Sequence, residues 1–226
     1  MKGRYVIAHD VGTSSNKAVL MDIDGNILES ATVEYGFQYP NPGWVEQSPE
    51  DYWQAIINST KKVMTHSKVD TSEILGIVFA TQAMGIIPLS RDHNVLMNNI
   101  TWVDGRAEKQ ATRLMNRFAG KTAFKSFVGI ELTGKDVIPK LMWLKQERKD
   151  IYNKTNKVLD VNGYLKFKST GKVFAEWSGA SSYAFNVKKK DWERIFFKIA
   201  GVGTDKLTDL IRSIDIVGGL TKEAAS

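Results

Sequence analysis

The stretch Tyr5–Tyr35 reads YVIAHDVGTSSNKAVLMDIDGNILESATVEY. An apolar run, Tyr5 to Ala8, leads to Asp10, and a tight polar loop, Val11 to Lys17, follows. Ala18 to Met21 is a second apolar run, closed by the turn signal Asp24-Gly25. A third run, Ile27 to Tyr35, is β-branched and alternating. The pattern predicts three antiparallel strands joined by short hairpins.

The first loop carries the chemistry. Gly12 lets the backbone turn sharply and leaves room for a close ligand. Thr13, Ser14 and Ser15 offer hydroxyls beside exposed backbone N–H groups, and Lys17 offers a cation, a set that suits phosphate oxygens. Asp10 ends the first strand pointing toward the same place, where a carboxylate can hold Mg²⁺ or its water shell. An ordinary hairpin with a polar tip would have the same composition.

Asp10-Val11-Gly12-Thr13-Ser14-Ser15 with Lys17-Ala18 resembles the first phosphate motif of the FGGY carbohydrate kinases, members of the sugar kinase, Hsp70 and actin superfamily. The resemblance continues through Pro42-Gly43-Trp44-Val45-Glu46-Gln47, Trp102-Val103-Asp104-Gly105-Arg106 and Lys140-Leu141-Met142-Trp143-Leu144-Lys145-Gln146-Glu147. The last of these matches is partial, with Val137 where the family has a small hydroxyl residue or proline. Phe174 to Ser181 is similar to a further family segment, with Ala175 and Glu176 in place of Thr and Asp, and Ile214 to Thr221 resembles the family's closing strand and turn.

The 226 residues are 42% hydrophobic and 25% charged, ordinary for a globular chain with a core of its own. With no cysteine, disulfides and thiolate metal sites are excluded, which is compatible with the cytosol. No signal peptide is evident, since Lys2 and Arg4 precede only a strand-length apolar run, and no run approaches a membrane span. The net charge of +6 is spread over Lys121, Lys125, Lys166, Lys168 and Lys188 to Lys190, a solvated surface more than a nucleic-acid patch. His9, His66 and His93 share no ligand spacing, and His9 reads as a strand histidine with a satisfied hydrogen bond.

Downstream, Ser48 as N-cap, Pro49 at the first helical position and the acids Glu50 and Asp51 mark a helix with Trp53, Ile56, Ile57, Thr60, Val63 and Met64 on one face. Ile74 to Ala80 reads as a strand covered on both faces, ending in Thr81-Gln82-Ala83-Met84-Gly85, where ligands of open α/β sheets sit. Ile86 to Leu89 is a further strand and Val95 to Val103 is extended. Helices are expected over Glu108 to Phe118, closed by Gly120, from Val137, over Trp192 to Ile199, and over Asp205 to Ile211.

Strands first and helices alternating with strands afterwards point to an α/β fold. The resemblance makes it a ribonuclease H-like lobe: a mixed sheet flanked by helices, with a helical insertion within about Lys121–Lys190. It implies ATP-dependent phosphorylation of a sugar or polyol, a pentulose above all, by a cytoplasmic enzyme using ATP and Mg²⁺. Neither nucleic acid nor membrane is implied as a partner, and a homodimer is left open. Asp10 would hold the metal, Gly12, Thr13, Ser14 and Lys17 would face the phosphates, and Gln82, Ala83, Met84, Asp104 and residues near Lys135-Asp136 would border the sugar, with Arg106 orienting Asp104 or binding substrate. Trp44 and Glu46 are weaker candidates for the same border. The resemblance covers only an N-terminal lobe, 1–226, so the general-base aspartate and a C-terminal lobe are expected beyond Ser226, and the fragment by itself is expected to be inactive. A non-catalytic sugar- or nucleotide-binding module, and an actin- or chaperone-like nucleotide switch, remain as alternatives.

Overall fold

The period-two pattern of the opening stretch becomes a meander of β1 (Tyr5–Val11), β2 (Ser15–Asp22) and β3 (Ile27–Glu34). The structure is a computed structural model and describes residues 4–118 and 120–226. The strands β1 and β2 pair antiparallel from Tyr5 opposite Asp22 to Val11 opposite Asn16, and β2 pairs antiparallel with β3. A short strand, β4 (Glu46–Gln47), precedes α1 (Pro49–Ser67), and β5 (Ile74–Thr81) then returns parallel to β1. The sheet order is β3-β2-β1-β5.

Two compact units emerge, the first running up to Phe37 and resuming over Ser48–Gln82, the second made of Gln38–Gln47 and Ala83–Ser226. In the first, Ile7, Ala18, Leu20 and Val63 form the core. Tyr52, Trp53, Ala55 and Ile56 of α1 are buried as well. Ser48 occupies the N-cap position but makes no side-chain cap bond. Pro49 and the acids Glu50 and Asp51 supply the helix start instead. The strand β5 is not covered on both faces as expected. It is an edge strand, and Leu75 and Val78 stay 56% and 52% exposed.

The second unit continues with β6 (Ile87–Leu89), β7 (Asn99–Ile100), α2 (Glu108–Asn116), α3 (Lys121–Val128), α4 (Val137–Glu147) and α5 (Lys149–Lys154). It proceeds through β8 (Lys157–Leu159), α6 (Val161–Thr170), β9 (Phe174–Glu176), α7 (Trp177–Ser181), β10 (Phe185–Asn186), β11 (Asp191–Trp192), α8 (Arg194–Ala200) and β12 (Asp209–Ile211). Helices do concentrate in the expected insertion, broken by two-stranded ladders. Ile86, Ile100, Leu114, Leu141, Leu144, Trp192 and Phe197 share one core. Gly120 ends α2 as expected, since its N–H donates to Met115 O at 3.1 Å, and the same residue is the N-cap of α3.

Three expectations are corrected. Val95 to Val103 forms only the two-residue β7 and a bridge at Val95. Asp205 to Ile211 is not a helix: after one 3₁₀ turn, Asp209–Ile211 pairs parallel with Phe174–Glu176, a long-range ladder that overrides a local helical pattern. Ile214 to Thr221 forms no strand, and Ile214 and Ile216 are 81% and 94% exposed. Among the described residues no helix is long and apolar enough to cross a membrane.

A polar knot sits inside the first unit. Asn16 Nδ2 donates to Ser59 Oγ at 2.7 Å and to His9 Nδ1 at 3.2 Å, and Thr60 Oγ1 lies 3.3 Å from His9 Nε2. His9 is therefore the satisfied core histidine that its place in a strand predicts, and burial holds its imidazole down at about 4. An unfolded histidine titrates near 6.5, so the unfolded chain binds more protons between those values and stability falls as pH drops through that window. The full loss from this group is about 3 kcal/mol. Urea midpoints measured from pH 7 to pH 4 should fall more steeply for the wild type than for His9→Gln. Parallel slopes would show that His9 titrates normally.

Candidate functional site

The hairpin tip in the first unit is shorter than the polar run suggested. Val11 belongs to β1 and Ser15 begins β2, which leaves Gly12, Thr13 and Ser14 as the turn. Gly12 N donates to Ser15 O at 2.9 Å. A Cβ at Gly12 would meet only that oxygen, at an ordinary 3.5 Å, and its φ is not left-handed, so the turn itself does not demand glycine. The absent side chain leaves space above the tip, which is the remaining reason for the residue.

Tyr35 clamps the turn. Its hydroxyl donates to Gly12 O at 2.6 Å and lies 3.0 Å from Ser15 O, and its backbone N–H donates to Ser14 O at 3.0 Å. Burial, then the negative charge of Asp10, pushes the Tyr35 phenol well up, so it stays protonated and donating. The sequence marked Tyr35 only as a strand end. A tyrosine closing a strand next to a polar turn is too common to signal a clamp.

Asp10 and Lys17 are register partners on β1 and β2, both exposed. Cross-strand partners project to one face. Thr13 is half-buried and Ser14 exposed. One carboxylate, one ammonium and hydroxyls thus cluster at one sheet end, groups that suit phosphate oxygens. Among the described residues no group of three His, Asp or Glu side chains could cage a metal. A single carboxylate fits Mg²⁺, which binds through one or two carboxylates and completes its shell with water and substrate phosphates.

The strand β5 delivers the next candidates. Gln82 closes the first unit: its N–H donates to Val11 O at 2.8 Å, prolonging the β1–β5 ladder, and its Nε2 lies 3.4 Å from Tyr52 Oη. Ala83 is exposed and Met84 half-buried at the start of the second unit. Met84 has a φ of 62°, a left-handed backbone that a methionine seldom adopts. Gly85 follows and is buried, and a Cβ there would collide with the Asn99 side chain.

Asp104 and Arg106 lie in the second unit and hold each other. Asp104 Oδ1 accepts from Arg106 N and Nε, both at 2.9 Å, and Oδ2 accepts from Val45 N at 2.5 Å and Arg106 Nη2 at 2.7 Å. Arg106 Nη2 also meets Glu46 Oε1 at 2.8 Å. The guanidinium stacks 3.9 Å from the Trp44 ring centroid and 4.8 Å from that of Trp143. Both charged side chains are fully buried. Asp104, expected from the sequence to border the sugar, lies buried in this turn. Its oxygens are already taken by the backbone and by Arg106, and the pair shapes the turn in which it lies. Trp44 and Glu46, weaker candidates from the sequence, are parts of the same frame. Asp136, by contrast, accepts from Thr133 N at 2.7 Å as a local turn and is not drawn into this cluster.

Lys140, which the sequence placed in a family motif without a role, is a further residue of this region. It lies on α4, fully buried, and donates to Met84 O at 2.9 Å and Thr101 O at 2.8 Å. Burial drives its ammonium down to about 7, partly opposed by the charge of Asp104. Its signal was a lysine amid Val137, Ile138, Leu141 and Leu144, an interior face where a cation needs a reason.

With the geometry in hand, the likeness to known proteins is informative. Residues 5–226 match the model for the N-terminal domain of the FGGY family of carbohydrate kinases. A xylulose kinase of Bacillus subtilis (strain 168) is 28% identical over 99% of this chain and 44% of its own length. A glycerol kinase of Thermococcus gammatolerans is 30% identical over 97% of this chain and 45% of its own. The crystal structure of gluconate kinase from Lactobacillus acidophilus superposes with a TM-score of 0.89 at 25% identity, covering 98% of this chain and 44% of that one. The chain thus spans less than half the length of the relatives it matches, and its lobe has the mixed α/β sugar-kinase architecture of the actin/Hsp70-like fold.

Removing one partner of a buried ion pair leaves a charge stranded. Asp104→Ala should lower unfolding stability by about 3 kcal/mol or more, because the fully buried Arg106 then lies against Trp44 with Glu46 as its remaining counter-ion. Urea denaturation followed by tryptophan fluorescence measures it. A loss below about 1 kcal/mol, the level of a surface pair, would mean that the pair does not hold this turn.

Proposed function

The chain belongs to the FGGY family of carbohydrate kinases, and we propose that the protein carrying it transfers the γ-phosphoryl group of ATP to a hydroxyl of a sugar or polyol. One observation carries the proposal: Asp10 and Lys17 face each other in register across the tip Gly12-Thr13-Ser14, within a chain matched to the family from residue 5 to 226. Such a transfer asks for little covalent chemistry from the protein, and positioning and charge do most of the work. In this reading the hydroxyls of Thr13 and Ser14, with the Lys17 ammonium, meet phosphate oxygens, and Gly12 leaves the space in which they approach. Asp10 would hold Mg²⁺, which when bound neutralises phosphate charge.

Gln82, Ala83 and Met84 border the acceptor. Asp104 and Arg106 act behind that border through the frame they build with Trp44 and Trp143. The relatives carry the names xylulose, glycerol and gluconate kinase, so the family alone leaves the acceptor open. Motif order, above all Pro42 to Gln47, resembles the xylulose kinases most. Their strip reads Gln-Met-His where this chain has Gln82-Ala83-Met84, so an imidazole gives way to a thioether, at best a weak acceptor. We infer a pentulose or related polyol whose hydroxyl pattern leaves that position unmet. Since the chain spans 44% of such relatives, the transfer is proposed for the whole protein. The 226 residues by themselves are expected to release no ADP.

The test is coupled-assay ADP release by the whole protein on a panel of pentuloses, polyols and gluconate. One acceptor should stand out, and Asp10→Ala should cut kcat about a hundredfold while sugar KM moves little. Met84→His should shift preference within the panel toward D-xylulose. If no acceptor supports ADP release but sugars still bind by calorimetry, the non-catalytic module is the better reading. If D-xylulose already dominates and Met84→His leaves the ranking unchanged, the strip does not set specificity.

A further inference from the structure

Met84 keeps a left-handed backbone, with φ 62°, although it is not glycine. Such a conformation persists where surrounding bonds over-determine it. Here they do. Lys140 Nζ donates to the Met84 carbonyl at 2.9 Å, and Tyr183 Oη donates to the next carbonyl, Gly85 O, at 2.9 Å. Downstream, Ile86 N and O exchange bonds with Ile100 at 3.3 Å and 3.2 Å. Gly85 is confined by the Asn99 side chain, which leaves no room for a Cβ.

Lys140 is the unusual member. A fully buried lysine is costly, and an aliphatic residue would fill the same volume in a helix whose residues Val137 to Leu144 are all buried. What the ammonium adds is a second bond, to Thr101 O at 2.8 Å, three residues before Asp104. One cation therefore ties the turn bearing Met84 to the turn bearing Asp104 and Arg106. Tyr183 is equally committed: it is 6% exposed, packs 5.9 Å from the Trp192 ring, and burial keeps its phenol protonated. The charged groups around Lys140 are Asp104, Asp136, Arg106 and Lys135.

We propose that Lys140 and Tyr183 are positioning residues for the acceptor: they hold the Met84–Gly85 backbone from the protein interior and so set the shape of the strip Ala83-Met84 against which a sugar or polyol hydroxyl pattern is read. The proposal rests on the kinase reading for the word acceptor, and on geometry alone for the positioning of Met84.

Two readouts separate these. In the whole protein, Lys140→Met should raise the acceptor KM about tenfold and leave the ATP KM within about twofold, and Lys140→Arg, which keeps a donor for both carbonyls, should recover part of the loss. Tyr183→Phe should raise the acceptor KM in the same selective way. The second readout is the Met84 ¹³Cα and ¹³Cβ chemical shift, which reports a left-handed backbone. Its signature should weaken in both variants while melting remains cooperative. Should Lys140→Met fail to fold, Tyr183→Phe decides both readouts. Equal changes in acceptor and ATP KM, or none, would overturn the acceptor role. Unchanged Met84 shifts would overturn the positioning. If the wild type phosphorylates no acceptor, the kinase reading fails, and the shifts still decide whether Lys140 and Tyr183 hold Met84.

Discussion

Everything in the first unit depends on the register of β1 against β2. Side chains on a strand alternate faces, so a slip by one residue would exchange interior and exterior along both strands. In the register observed, Ile7, His9 and Val11 turn inward with Asn16, Ala18 and Leu20, while Asp10 and Lys17 turn outward together. The inward set is unforgiving because it contains a polar knot. Asn16 satisfies Ser59 of α1 and His9 of β1 at once, and a slipped strand would bury a lysine and a carboxylate in its place. The interior chemistry of Asn16 thus secures the exterior chemistry of Lys17.

The second unit is organised around buried cations. Arg106 lies over the Trp44 ring and close to Trp143, which packs edge-on against Trp44, and its edges are met by Asp104 and Glu46. A guanidinium tolerates this because its planar fork matches a carboxylate and its faces stack on indole. Lys140 solves the same difficulty with main-chain carbonyls. A well-packed apolar cluster could stabilise such a unit as well or better, since desolvation consumes most of what a buried ion pair returns. What the two cations contribute is direction: each fixes irregular backbone, the turn at Met84 and the turn before α2, in a part of the chain where short ladders leave few ladder bonds to do so.

These two arrangements also explain why the candidates divide in their behaviour. Asp10, Ser14 and Lys17 sit exposed at a strand end and are able to meet a ligand directly. Asp104 and Arg106 are sealed and act through the backbone they hold. A W-x-D-x-R string in the sequence does not distinguish the two cases, because both need an acid and a base at close spacing, and only burial tells them apart.

The meander, the helix from Pro49 and the interior histidine were all determined by the sequence itself. Each depends on a period or a signal spanning a few residues: alternation for β1 and β2, Pro with early acids for α1, a strand position for His9. The structure decided what such local signals do not encode. Asp209–Ile211 became a strand because Phe174–Glu176 lay beside it, thirty-odd residues earlier in the chain. The outer side of β5 stayed exposed because no element of its unit covers Leu75 or Val78. Lys140 reached Met84 and Thr101 only because α4 packs where two distant turns converge. Burial and long-range pairing are properties of the assembled chain, and the worth of a charge depends on them more than on the identity of its neighbours in sequence.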